Sequence, residues 1–296
     1  MEVHQLRYFC AVARHGSFTR AAAAEHIAQP SLSQQILKLE DELGTQLFDR
    51  LPKSVRLTQF GSAFLVRAQE ILRQLGEAKT EIQEMAGAEK GEVTLGVIPT
   101  IAPYFLPSAF STFAQHHPGI VINVIEDITP VLLQKLSTGT IDLALLALPV
   151  PGHELVSIEI LREPLFAAFP GNHRLAHRKS IELAEFREEP FLLLKEGHCF
   201  RENTLAACRR SRVVPNVVFE SGQFATILAM VASGMGVSVV PAMAAQTTEG
   251  CSFVRIADDR SFRSIGMVRT KHHFPTRALL ALIEHFQKGQ SLAATR

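Results

Sequence analysis

The chain has 296 residues, 30 Lys+Arg against 29 Asp+Glu, 47% hydrophobic residues, four cysteines and no tryptophan. That length suits about two domains, and plentiful apolar residues with little net charge exclude a chain disordered throughout. No apolar run reaches the ~18–20 residues of a membrane-spanning helix, the first residues lack a signal-peptide pattern, and scattered cysteines make no disulfide scaffold, so a reducing cytoplasm and no membrane partner are expected.

Residues 5–14 place Leu6, Phe9, Cys10 and Ala13 at helical spacing. Gly16 breaks that run, and Ser17 caps a second short helix, Phe18 to His26. Ser31-Leu32-Ser33-Gln34, after Pro30, is a capping-box pattern that opens a third helix toward Leu43, ended by Gly44. Two helices joined by a short turn form a helix-turn-helix, whose second helix enters a major groove. Residues 47–57 read as two short apolar pieces around Pro52, a small hairpin or wing carrying Arg50, Lys53 and Arg56 against one acid, Asp49. Thr58 caps a helix expected from about Gln59 to Met85. That helix has a heptad seam, with Phe64, Ile71, Ala78 and Met85 in one register and Ala68, Leu75 and Ile82 in the other. Its simplest partner is the same helix of a second subunit. Gly87 to Gly91 reads as a hinge.

Beyond the hinge the period changes. Residues 92–98, 120–126 and 141–147 are short β-rich runs, separated by helical stretches at about 101–116 and 130–138. Similar units recur at 191–194, 216–219 and 237–240, and the last helix is expected at about 276–288. Alternating strands and helices imply a parallel sheet, here in two α/β lobes, with ligands at the carboxyl ends of the strands. The expected divisions are 1–58, 59–90 and 91–296, the last split into lobe I (about 91–162 and 267–296) and lobe II (about 163–266).

A net charge of +1 says nothing in favour of nucleic acid, and residues 1–90 are neutral too, with 11 Lys+Arg and 11 Asp+Glu. The case for DNA is local. Gln29, Pro30, Ser31, Ser33 and Gln34 cluster at the start of the third helix, where glutamine can pair with adenine and a helix N-terminus favours phosphate. Arg50, Lys53 and Arg56 on the wing would grip the backbone. A plain helical bundle with a solvated basic loop is the alternative. The order of helix pair, basic hairpin, heptad helix and α/β domain favours a dimeric DNA reader with an attached sensor.

These residues resemble the LysR-type transcriptional regulators. The resemblance is carried by Leu6-Arg7-Tyr8-Phe9, Gly16-Ser17-Phe18, Gln29-Pro30-Ser31-Leu32-Ser33, Leu47-Phe48, Leu57-Thr58 and, far downstream, Gly234-Met235-Gly236-Val237 with Pro241. It implies an N-terminal all-α winged helix-turn-helix with a long dimerising linker helix. It also implies a C-terminal α/β two-lobed, periplasmic-binding-protein-like regulatory domain, tetramers on promoter DNA, and RNA polymerase within reach as a partner. No cofactor, metal or enzymatic activity is expected.

The second constellation is Gly197-His198-Cys199-Phe200-Arg201, with Cys208 nine residues beyond Cys199. Positive neighbours and a helix N-terminus lower a thiol's pKa, so the setting predicts ready thiolate formation at Cys199. Two buried, inert cysteines are the alternative. In one helix the two Cα atoms lie ~13 Å apart, whereas a disulfide needs roughly 4.4–6.8 Å. Bond formation therefore requires the segment to rearrange. Gly-His-Cys-x-Arg followed by a second cysteine resembles the hydrogen peroxide-responsive OxyR branch of the LysR family, whose members are activators in oxidative stress. That resemblance implies that Cys199 is peroxidatic and Cys208 resolving, and that Thr100 and Thr129 contact peroxide beside His198 and Arg201. Both threonines are equally good helix caps. Asp142, Cys10 and Cys251 read as structural, and the His116-His117 and His272-His273 pairs as solvated. The rival readings are a regulator sensing a small organic effector between the lobes, a thiol peroxidase using Cys199, and a solute-binding transport module.

Overall fold

The computed structural model describes residues 1–51, 54–85, 90–246, 248–258, 260–272 and 275–293. It divides the chain into two units, Met1–Ala88 and Glu89–Arg296.

The first unit starts with helices α1 (Val3–His15), α2 (Phe18–Ala24) and α3 (Gln29–Leu43). Their apolar faces meet in a core of Leu6, Phe9, Val12, Ala21, Leu32, Ile36 and Leu39. Ser17 Oγ accepts the Arg20 N–H at the head of α2, as its position predicts. The third helix starts earlier than expected. Ala28 takes the N-cap position and Pro30 sits in the first turn, so Ser31 is a helical residue and not a cap. Proline fits there because its missing N–H would be unpaired in any case. Strands β1 (Phe48–Leu51) and β2 (Ser54–Leu57) pair antiparallel as the wing. The buried Glu40 carboxylate of α3 accepts the backbone N–H groups of Leu47 (2.8 Å) and Phe48 (3.1 Å), which ties the wing to α3. Lys53 lies outside the described residues.

Thr58 Oγ1 caps helix α4 (Gln59–Met85) by accepting the Gly61 N–H at 2.9 Å. A side chain at Gly61 would collide with the Leu47 carbonyl, so the glycine sets how closely α4 approaches the wing. The heptad seam divides. Phe64, Ala68 and Leu72 turn onto the unit's own core. Ile71, Leu75, Ala78 and Ile82 remain exposed at 4-3-4 spacing. The expected hinge at 87–91 lies mostly outside the described residues.

The second unit begins with strand β3 (Gly91–Val97), helix α5 (Ala102–His116), strand β4 (Ile120–Glu126), helix α6 (Thr129–Ser137) and strand β5 (Leu143–Leu148). These form a parallel β4-β3-β5 set. Then come strands β6 (Leu155–Pro170), β7 (Ser180–Ile181) and β8 (Pro190–Leu194), helix α7 (Cys199–Arg210), strand β9 (Asn216–Ser221) and helix α8 (Phe224–Ala232). The chain ends with strands β10 (Ser238–Pro241), β11 (Cys251–Ile256) and β12 (Phe262–Thr270) and helix α9 (Arg277–Ala293). The all-parallel expectation is corrected here: β12 lies antiparallel between β5 and β6, and β10 and β11 lie antiparallel on β6.

Strand β6 organises the unit. Its first part, up to Pro164, pairs with β12, and its last part, Leu165–Pro170, pairs with β10 and β11. Two cores result. One gathers Val93, Leu95, Leu132, Leu145, Ile265 and Leu282. The other gathers Phe169, Phe186, Phe191, Phe200, Val231 and Val239. At Gly236 a side chain would strike the Pro190 carbonyl, which accepts the Val237 N–H at 2.8 Å, so this glycine lets β10 dock beside β8. No described helix is long and apolar enough to cross a membrane.

Candidate functional site

On α3 the residues expected to face DNA share one side. Leu32, Ile36 and Leu39 are buried, while Gln29, Pro30, Ser31 and Gln34 are exposed and Ser33 is partly so. Arg56 is exposed on β2, and Arg50 lies on β1. The unit therefore presents the first turn of a helix, with free N–H groups and small polar side chains, and a cationic wing residue.

The thiol site is built where the two cores of the second unit approach each other. Cys199 is the first residue of α7, with His198 at the N-cap position. Cys199 packs on the Val93–Leu145 core, while Cys208, in the same helix, is fully buried in the other core. Both thiols are free. The helix holds them nine residues apart along its axis, so no disulfide can close while α7 is intact.

The electrostatics differ from expectation. Burial pushes the Cys199 thiol up, offset in part first by the Thr129 hydroxyl and then by the Arg263 guanidinium. The two predicted cations do not supply positive charge to it. Arg201 is turned away, donating to Leu194 O at 2.9 Å and to Glu220 Oε1 at 2.5 Å. Burial lowers the His198 pKa, so its ring is neutral near physiological pH. Burial likewise pushes Cys208 up to about 11. Burial thus works against thiolate formation at Cys199, and neither predicted cation offsets it.

Neither threonine is a helix cap. Ile101 and Ile128 take the N-cap positions of α5 and α6. Thr129 Oγ1 is instead buried against the Cys199 thiol. Thr100 is buried and accepts Arg263 Nη1 at 3.0 Å. Arg263 is the residue that the sequence reading missed. It is 1% exposed and donates four hydrogen bonds, two to Thr100 and two to Glu163 Oε1 (2.8 and 2.6 Å). The other Glu163 oxygen accepts the Met243 N–H at 2.8 Å. Nothing local singles the pair out: β6 also carries Glu159 and Arg162, β12 also carries Arg269, and nothing in the sequence joins residues 163 and 263.

The remaining candidates are structural. Asp142 Oδ2 accepts the Thr94 N–H at 2.7 Å. Cys10 packs in the first unit's core and Cys251 Sγ donates to Leu228 O. His116 bonds Thr112 O, His117 packs at a tilt against Phe113 and His272 meets Glu154, while His273 lies outside the described residues. Among the described residues no group of histidines, cysteines and acids could hold a metal.

Comparison with known proteins agrees with both halves of this description. Residues 3–62 match the bacterial regulatory helix-turn-helix proteins of the lysR family, and residues 86–291 match the LysR substrate binding domain. An uncharacterized HTH-type transcriptional regulator of Bacillus subtilis, YybE, is 35% identical over 93% of this chain and 94% of its own length. The DNA-binding transcriptional dual regulator OxyR of Escherichia coli is 30% identical, over 97% of this chain and 98% of its own. Full-length OxyR from Pseudomonas aeruginosa, solved as a cysteine-to-aspartate variant, superposes with a TM-score of 0.79 at 32% identity, covering 97% of this chain and 95% of that one. With a helix-turn-helix unit, a two-lobed α/β unit and relatives named OxyR, the chain belongs to the LysR family of bacterial transcriptional regulators.

Proposed function

We propose that this regulator senses hydrogen peroxide through Cys199 and Cys208. The observation that carries the reading is the buried Thr129 hydroxyl set against the Cys199 thiol. A thiol is a weak hydrogen-bond partner, so this hydroxyl keeps capacity for a small polar ligand at that spot. Peroxide is of that size and can both donate and accept. Thr100, whose oxygen already accepts from Arg263, keeps its own O–H to donate.

In the first step the Cys199 proton is lost and the sulfur attacks one peroxide oxygen. The O–O bond breaks and the leaving hydroxide takes up a proton, giving sulfenic acid and water. The neutral His198 imidazole next in the chain is suited to carry that proton. In the second step the Cys208 thiol attacks the sulfenic sulfur, and a second water leaves as the disulfide forms. Each oxidation consumes one peroxide and leaves the protein oxidised, which suits a switch and not a turnover enzyme.

Helix α7 has to unwind for the second step. It has no side-chain N-cap bond, and it buries Thr204 Oγ1 without a partner. Both features lower the cost of leaving the helical state. The oxidised segment would then repack against both cores and alter subunit packing, and with it the spacing of the wing-bearing units on DNA. In this reading residues 1–58 read promoter DNA, 59–90 dimerise through Ile71, Leu75 and Ile82, and 91–296 sense, with lobes dividing near residue 163. Gln29, Pro30, Ser31, Ser33 and Gln34 would meet bases and phosphates, and Arg50, Lys53 and Arg56 the backbone.

Four outcomes are expected. After one equivalent of peroxide, mass spectrometry finds a Cys199–Cys208 disulfide in the parent, a trappable sulfenic acid in Cys208→Ser, and neither in Cys199→Ser. Thr129→Val slows that oxidation roughly tenfold, the worth of one hydrogen bond of about 1.4 kcal/mol. Parent-like oxidation of Thr129→Val would remove the threonine from the site. In DNA-binding titrations, Arg56→Gln lowers the slope of log affinity against log salt by about one, whereas Gln34→Ala relaxes sequence preference; an unchanged slope would take Arg56 off the backbone. In sedimentation equilibrium, Ile82→Asp weakens self-association, and an unaltered mass distribution would rule out the α4 seam.

A further inference from the structure

We propose that Glu163 is a positioning residue for the thiol site: by pairing with the Arg263 guanidinium, it weakens the pull of that positive charge on the Cys199 sulfur and keeps the resting site sluggish. The inference rests on the peroxide reading of Cys199 and adds the residue that sets its reactivity.

The groups that act on the Cys199 sulfur come from several elements. They are Thr129 of α6, Arg263 of β12, and the backbone of Phe200 in α7 and of Ala147 in β5. Arg263 is the one charged group among them. The neighbouring titratable groups contribute no cation: His198 is neutral, Arg201 is tied to Glu220, and burial pushes Tyr104, which also feels Arg263, up. The field at the sulfur therefore depends on what Arg263 is paired with.

Arg263 is paired with Glu163, and the geometry is rigid. Nε and Nη2 converge on Glu163 Oε1, Nη1 and Nη2 reach Thr100, and the ring of Phe200 lies 5.4 Å from the guanidinium carbon. Glu163 is itself 4% exposed and pinned by the Met243 N–H. Water cannot screen so buried a pair, so Glu163 offsets part of the Arg263 charge at a distance, and Arg263 draws the Cys199 pKa down by less than a lone guanidinium would. Taking the negative charge away would leave the full guanidinium charge facing the thiol, and would free it to swing toward a forming thiolate. Attack on peroxide proceeds from the thiolate, so Glu163 sets the peroxide threshold of the switch.

The test follows alkylation of the Cys199 peptide in the intact protein across a pH series, by mass spectrometry. Glu163→Gln is expected to move the midpoint below that of an ordinary cysteine, about 8.5, and to speed peroxide oxidation at neutral pH several-fold. The comparison with an ordinary cysteine matters, because mere loosening of the site would bring the thiol only back to that value. Glu163→Gln/Arg263→Met, which removes the whole pair, should not show the fall. A folded Glu163→Gln protein with a midpoint at or above the ordinary value overturns the proposal, as does an equal fall in the double variant. Should Glu163→Gln not fold, Glu163→Asp carries the test: its shorter side chain draws the carboxylate back from Nε and Nη2 and loosens the pair, so a midpoint below the parent's is expected, and an unchanged one overturns the proposal. If the alkylation shift appears while peroxide leaves parent and variant alike unoxidised, the peroxide reading fails and the positioning role stands.

Discussion

A guanidinium with no access to solvent persists only where its donors are used and its charge is matched. Arg263 meets both conditions through Thr100 and Glu163. The three residues lie on separate pieces of the second unit: β12, β6, and the turn between β3 and α5. Glu163 also reaches the turn after β10 through Met243. The pair thus pins together the strands that serve both cores, close to where β6 passes from one to the other. Removing one partner of such a pair costs about 3–5 kcal/mol, because the other charge is left buried alone. The thiol site is assembled around this fixed point, and its electrostatics follow from it.

The second constraint is α7. A single helix begins with one thiol against one core and ends near a second thiol inside the other. Helical geometry forbids their union, while oxidation chemistry favours it once sulfenic acid forms. In the proposed reading two arrangements of one segment compete, and peroxide would tip the balance by adding a covalent bond to only one of them. That is the requirement for a switch: a bistable element and a local chemical event that distinguishes its states.

Local patterns carried much of this into view before the fold was known. The helix-turn-helix, the wing, the caps at Ser17 and Thr58 and most βα units follow from periodicity, Gly and Pro placement, and polar residues at helix starts. The start of α3 was misplaced because a serine-rich capping pattern competed with Pro30, and proline's fit to the first turn prevailed. Strands β6, β11 and β12 were not legible. Their apolar runs are broken by charges such as Glu159, Arg162 and Arg255, and they pair with strands remote in the chain. At the site, Cys199, Cys208, Thr100 and Thr129 announced themselves by spacing and resemblance. The sign of the thiol's electrostatics did not, because Arg201 and His198 are adjacent in sequence but not positive toward the sulfur. Arg263, a long way along the chain, is the cation that faces it.

The most direct measurement is amide hydrogen exchange across residues 199–210, before and after one equivalent of peroxide, with the disulfide confirmed on the same sample. Unwinding predicts that helical protection of this segment is lost on oxidation and returns on reduction, with the parallel strands β3 to β5 unchanged. Retention of full α7 protection in a sample whose Cys199 and Cys208 are disulfide-linked would contradict the account.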